Sequence, residues 1–198
     1  MSVDLKAAIQ ASLTESHQAL GAFLGESSNL DAMQRMVDGL VGCFRNGGKV
    51  LACGNGGSAC DALHFAEECT GQFRKQRAAL PVIPLLESSH LTCVSNDYGF
   101  DHVFSRGVEA YGKPGDLLLA ISTSGNSPNV LKAVEACRKK KIAVVGLTGG
   151  DGGKLAGRVD HLLNVSSTKI VSRIQETHIL IGHVVCQMVD YKLFGGGP

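Results

Sequence analysis

His64 and Glu68 stand four residues apart, the spacing that sets two side chains on one face of a helix. They follow Gly54-Asn55-Gly56-Gly57-Ser58, where the apolar run Val50-Leu51-Ala52-Cys53 stops abruptly and Ser58 opens a helical pattern. Strand, glycine loop and helix start in that order make an anion cradle. Glycines let the backbone turn and approach a ligand, and the first N–H groups of a helix lack partners at its positive end. A second loop follows the apolar run at 117–121. Its hydroxyls, Ser122, Thr123, Ser124 and Ser127, surround Gly125 and lead into Pro128, a residue suited to the first position of a helix. One hydroxyl would serve as a helix cap; four point to a phosphomonoester pocket that needs no arginine. The first loop also matches the dinucleotide pattern G-x-G-x-x-[GA] through Ala59, with Glu87 in the place of a ribose-binding acid. That acid lies later than the usual spacing of about 20 residues, and a lone match of this kind is weak. Two anion-friendly loops suit a small polyol phosphate better than a dinucleotide.

Positioning such loops requires a sheet. Short apolar runs at 50–53, 82–86, 117–121, 143–147 and 162–165 are separated mostly by helical stretches. They predict an α/β fold, a three-layer αβα sandwich around a five-stranded parallel sheet. Functional residues in such sheets gather at the carboxyl ends of the strands, where both loops fall, together with Thr148-Gly149-Gly150-Asp151-Gly152-Gly153. Two helices precede the first strand, marked by Leu5, Ile9, Leu13, Leu20 and Leu24 and then by Leu30, Met33, Val37, Leu40, Val41 and Phe44. Asn29 is the expected N-cap of the second, with Asp31 in its first turn and Gly47-Gly48 as its stop. A last helix over about 173–193 carries Ile174, Ile181, Val184, Val185 and Val189 toward the core. The expected organisation is one domain over 1–198: a helical hairpin at 1–47, the α/β core and last helix at 48–194, and a frayed tail at 195–198. The hairpin suits an oligomer interface, or simply covers the sheet.

Composition excludes several classes. With 198 residues, 44% of them hydrophobic, and a formal charge of +1, the chain suits one well-buried domain rather than a disordered or membrane-spanning one. The basic cluster Arg138-Lys139-Lys140-Lys141 ends a predicted helix, where it complements the dipole, so nucleic-acid binding has little support. Seven cysteines without a C-x-x-C pair read as small buried residues in a reducing compartment. No apolar leader follows a basic start, and the expected location is cytoplasmic.

The ordered set of motifs is more specific than any one of them. Gly54-Asn55-Gly56-Gly57-Ser58, His64-Phe65-Ala66-Glu67-Glu68, Ser95-Asn96-Asp97-Tyr98-Gly99-Phe100, Phe104-Ser105-Arg106, residues 121–127, Leu147-Thr148-Gly149, and Arg173-Ile174-Gln175-Glu176 with His183 resemble the sugar isomerase (SIS) domain family, within it the phosphoheptose isomerases. The resemblance implies a flavodoxin-like sheet and conversion of sedoheptulose 7-phosphate to D-glycero-D-manno-heptose 7-phosphate, the entry to ADP- or GDP-heptose for lipopolysaccharide or capsule. It also implies a homotetramer with sites built between subunits, and one zinc per subunit.

Ketose–aldose conversion moves a proton between adjacent carbons through an enediol and another between their oxygens. A carboxylate can do the first and an imidazole can assist the second, and Glu68 and His183 are the candidates. In this family the positions matching His64, Glu68, Gln175 and His183 are zinc ligands in some members, and zinc would polarise the substrate oxygens. Gln175 and His183 lie eight residues, about 12 Å, apart along a helix. His178 is the nearer alternative to His183, but it reads better as a helix-packing or hydrogen-bonded histidine, and the resemblance favours His183. By the same resemblance Asn55, Gly56, Gly57, Ser58, Glu68, Asn96, Asp97, Ser122, Thr123, Ser124, Ser127 and Gln175 contact the sugar phosphate. Asp97, beside Gly99, could instead shape its loop, and Asp61 reads as a dipole-favoured acid near a helix start. His90, His102 and His161 read as structural or surface residues. Gln72 and Ser172 depart from the family pattern, standing where a base and an acid are usual; their joint loss removes a pair without leaving one charge unmatched. Competing readings are a non-catalytic relative that binds a replication initiator, a sugar-phosphate sensor, and an isomerase of another phosphosugar. Glu68 and His183 together favour catalysis.

Overall fold

Val50–Gly54 and Leu117–Ile121 are apolar, buried at every position, and paired in parallel as β1 and β3. The computed structural model describes residues 3–196. Around this central pair lie α1 (Leu5–Gly25), α2 (Ser27–Arg45), α3 (Gly57–Thr70), β2 (Val82–Pro84), α4 (Ser88–Tyr98), α5 (Val103–Tyr111), α6 (Pro128–Lys140), β4 (Ala143–Gly149), β5 (His161–Val165) and α7 (Val171–Phe194). The strands form one parallel sheet in the order β2-β1-β3-β4-β5, which is the flavodoxin-like order. Alternate residues of each strand face opposite layers. Val50, Ala52, Leu119 and Ile121 pack with Met36, Leu40, Phe65, Ile181 and Val185 of α2, α3 and α7. Leu51, Cys53, Leu118 and Ala120 pack with Phe104, Val108, Val130 and Val134 of α5 and α6.

Chain order reverses between β1 and β3, and there Gly54 stands opposite Ile121. Both anion-friendly loops therefore leave the sheet side by side at its switch point, where the diverging connections leave a crevice.

Several expectations need correction. Asn29 is not a cap: α2 starts at Ser27, and the buried Asn29 amide donates to the Phe23 carbonyl at 2.9 Å. Glu26 alone separates the two helices, so that carbonyl needs a side-chain donor at the tight corner. β2 ends at Pro84, because Glu87 already caps α4, whereas β4 continues to Gly149. Leu5, Ile9, Leu13 and Leu24 remain exposed, while Ala19 and Phe23 are the residues of α1 that are buried. Val184 is only half-buried. Cys60 and Cys93 are exposed, unlike the other five thiols; burial pushes Cys43 up to about 11 and Cys137 up to about 12, which keeps them unreactive. The basic cluster does close α6 as expected, with Lys141 left-handed at φ 58°. Of the tail, Gly197 and Pro198 lie outside the described residues. Among the described residues no helix is long and apolar enough to cross a membrane.

Candidate active site

The first loop reaches α3 through Gly56, whose φ of 55° is one that residues with a side chain rarely adopt. α3 then presents His64 and Glu68, and α7, packed beside it, presents His183. His64 Nε2 lies 2.9 Å from His183 Nε2 and 3.3 Å from Glu68 Oε1, and His183 Nε2 lies 3.8 Å from the same oxygen. The Glu67 carboxylate sits 3.4 Å from His64 Nδ1, and the Phe73 ring stacks on His183 at 6.1 Å between centroids. Two imidazoles and a carboxylate whose ligand atoms lie within 4.8 Å of one another form a group that fits a divalent metal. Gln175 stands two turns before His183 on α7. Its amide is pressed against Gly57, where a Cβ would collide with it. With His64, Asp61, Cys60 and Ser172 it lines an open cavity of about 450 Å³.

His178 is buried, and its Nε2 donates to the Thr148 carbonyl at 2.9 Å. Burial pushes its pKa down to about 4, so the ring is neutral and structural. Asp61 is the residue that the helix-start reading undervalued. It follows the same i, i+3, i+7 stripe as His64 and Glu68, and its Oδ2 is buried without a partner. Burial pushes its pKa up to about 6, with His64 opposing.

The second loop is built differently. Ser122 and Ser127 share a hydrogen bond of 2.9 Å between their hydroxyls, so Ser127 sits at the N-cap of α6 without capping it, and Pro128 begins the helix. Gly125, at φ 63°, lies against Gly152, whose carbonyl a Cβ at Gly125 would strike. The Leu155 N–H donates to the Gly125 carbonyl at 3.0 Å. The glycines of the third loop thus brace the second. Asn55 and Asn129 exchange two amide hydrogen bonds of 2.9 Å each, tying the first loop to the start of α6. Asn129, 1% exposed, is a site-building residue that sequence reasoning missed. Thr123, Ser124 and Asn126 line a second cavity of about 280 Å³, with Asp151 and Lys169 opposite.

The family model of the SIS domain matches residues 17–149. This chain belongs to the SIS domain family. It is 51% identical over 185 residues to the phosphoheptose isomerase of Yersinia pestis (strain Pestoides F), a match covering 93% of this chain and 96% of that one. Among solved structures, a phosphoheptose isomerase from Neisseria gonorrhoeae is 44% identical with a TM-score of 0.87, covering 94% of this chain and 98% of that one. Another, from Francisella tularensis, is 38% identical with a TM-score of 0.90, covering 95% and 99%.

Not every expected residue of this SIS domain meets the two loops. Asn96 and Asp97 are exposed at the end of α4, hydrogen-bonded to each other at 2.8 Å, and line neither cavity. Glu87 caps α4 by accepting from the Ser89 and His90 N–H groups at 2.9 and 2.7 Å. The Ser89 hydroxyl and those two bonds hold its pKa down at about 2, so the dinucleotide pattern finds its acid already employed. Arg173 holds α1 rather than a ligand, binding Glu15 at 2.9 Å and Ser16 at 2.8 Å.

Proposed function

We propose that this SIS domain is a phosphoheptose isomerase, interconverting sedoheptulose 7-phosphate and D-glycero-D-manno-heptose 7-phosphate. The convergence of His64, Glu68 and His183 in a pocket that also takes in Ile121, the residue before the hydroxyl loop, carries this reading, in a chain half identical to a relative of that name. Glu68 takes the proton from the carbon bearing the ketose hydroxyl and returns it to the neighbouring carbon of the enediol. His183 moves the accompanying proton between the two oxygens. Ser122, Thr123, Ser124 and Ser127, with the start of α6, hold the phosphate. Asn55, Gly56, Gly57 and Ser58 form the floor against which the sugar lies, and Gln175 reaches its hydroxyls from the rim; Asn96 and Asp97, which line neither cavity, are assigned to the substrate by the family resemblance alone.

His64, Glu68 and His183, with Gln175 as the fourth, would hold one zinc per subunit. When bound, the metal withdraws charge from substrate oxygens and makes the adjacent C–H more acidic. The exposed apolar stripe of Leu5, Ile9, Leu13 and Leu24 on α1 supports the hairpin at 1–47 as the interface of a homotetramer, with 48–194 as the catalytic core of a single domain. The free thiols support a cytoplasmic location.

Proton NMR of the zinc-loaded protein with sedoheptulose 7-phosphate should show the aldose product. A protein carrying zinc that leaves the ketose unchanged would overturn the reading. Metal analysis should find about one zinc per chain, and full activity in metal-free protein would remove zinc from it.

A further inference from the structure

We infer that Lys169 supplies the positive charge for the substrate's phosphate, facing the hydroxyl loop from the connection between β5 and α7. This rests on the isomerase reading and deepens it. A phosphomonoester carries a charge of about −1.5 to −2 at neutral pH. The hydroxyls of residues 122–127 are neutral, and the positive end of α6 is equivalent to only about half a charge. That loop therefore leaves most of the anion's charge unmatched.

Lys169 lines the same cavity of about 280 Å³ as Thr123, Ser124 and Asn126. Its stem runs beside the third loop, with Cγ 3.9 Å from where a Cβ on Gly150 would lie. The turn presenting it is fixed by the Ile170 N–H, which donates to Thr168 Oγ1 at 3.1 Å. Among the described residues Lys169 enters no ion pair, whereas Lys49 and Lys192 are each paired with an aspartate. The acid of the cavity, Asp151, uses Oδ1 to accept from the Gly153 N–H at 3.0 Å and so is turned to its own loop. α7 begins at Val171, on the rim, and has no side-chain cap, which adds a second positive helix end to the same cavity. A lysine at such a place acts as a point charge on a phosphate.

Lys169→Gln should raise KM for sedoheptulose 7-phosphate about 10- to 100-fold, the range for a lost charged hydrogen bond, with kcat within about twofold. Competitive inhibition by inorganic phosphate should weaken in parallel, and Lys169→Arg should restore most of both. The melting temperature should not move, because the side chain is exposed. Unchanged KM and unchanged phosphate inhibition in an active Lys169→Gln protein would overturn the inference and leave the isomerase reading standing. If the wild type shows no turnover, that reading falls, and phosphorus NMR titration of inorganic phosphate against both proteins still decides Lys169: equal affinity overturns it, and weaker binding by the variant supports it.

Discussion

His64 and His183 meet across 119 residues of sequence, brought together by two helices and joined to Glu68 through side-chain atoms alone. The hydroxyl loop is instead braced against its neighbour mainly by backbone: Gly125 against Gly152, and the Gly125 carbonyl against the Leu155 N–H. The first region thus depends on how helices dock, and the second on how closely two loops approach. The first can lose its chemistry without losing its shape. The second loses its shape as soon as one atom is added.

Glu68→Gln should have the largest effect. It keeps the size and half-buried setting of the side chain but removes the proposed base, so turnover should fall about 10³-fold or more, with an unchanged melting curve for the metal-free protein. Wild-type activity in that variant would move the proton-handling end elsewhere. Next comes acid. His178 joins the two regions, bonding α7 to the Thr148 carbonyl at the end of β4, and burial holds its folded pKa at about 4. Below the unfolded value near 6.5 the unfolded chain binds a proton that the folded chain refuses. Stability is therefore full above about pH 6.5 and falls as the pH drops toward 4, by about 3 kcal/mol in all from this group. Chemical denaturation at pH 7 and pH 4 should show the loss, and His178→Gln should flatten it; an equal slope in the variant would put the acid sensitivity in other groups.

Gly125→Ala should cost about 2 to 3 kcal/mol, from the left-handed φ and the collision with the Gly152 carbonyl. KM should rise while residual kcat persists, which would separate the anchoring end from the chemical one. A drop in kcat alone would join them again. Asn129→Ala should have the smallest effect, about 1 to 2 kcal/mol for the two amide bonds with Asn55, read from urea midpoints. Because Asn129 pins the first loop to α6, its loss should also raise KM modestly. No change in either would make the amide pair incidental.

Much of the fold was legible because its signals are local. Continuous apolar runs over 50–53 and 117–121 mark strands buried on both faces, glycines and hydroxyls after them mark the loops, and the spacing of His64 and Glu68 marks one helix face. The exposed stripe of α1 was legible as apolar but not as unpartnered, since periodicity does not say what lies opposite. Asn29 resembled a cap because Asn favours caps; a one-residue corner turned it into a donor for the Phe23 carbonyl.

The sequence by itself determined the sheet, the two anion loops, and the acid and imidazole side chains available to a proton transfer. Only the tertiary structure decided which side chains meet. His178 and His183 are five residues, about 140°, apart around α7, and helix spacing alone does not choose between them. Docking α7 against the sheet and α3 buries His178 on the Thr148 carbonyl and turns His183 to Glu68. Asp61, Asn129 and Lys169 belong to the same class. Their partners or neighbours lie on other elements, and long-range packing selects those where short-range sterics and hydrogen bonding do not.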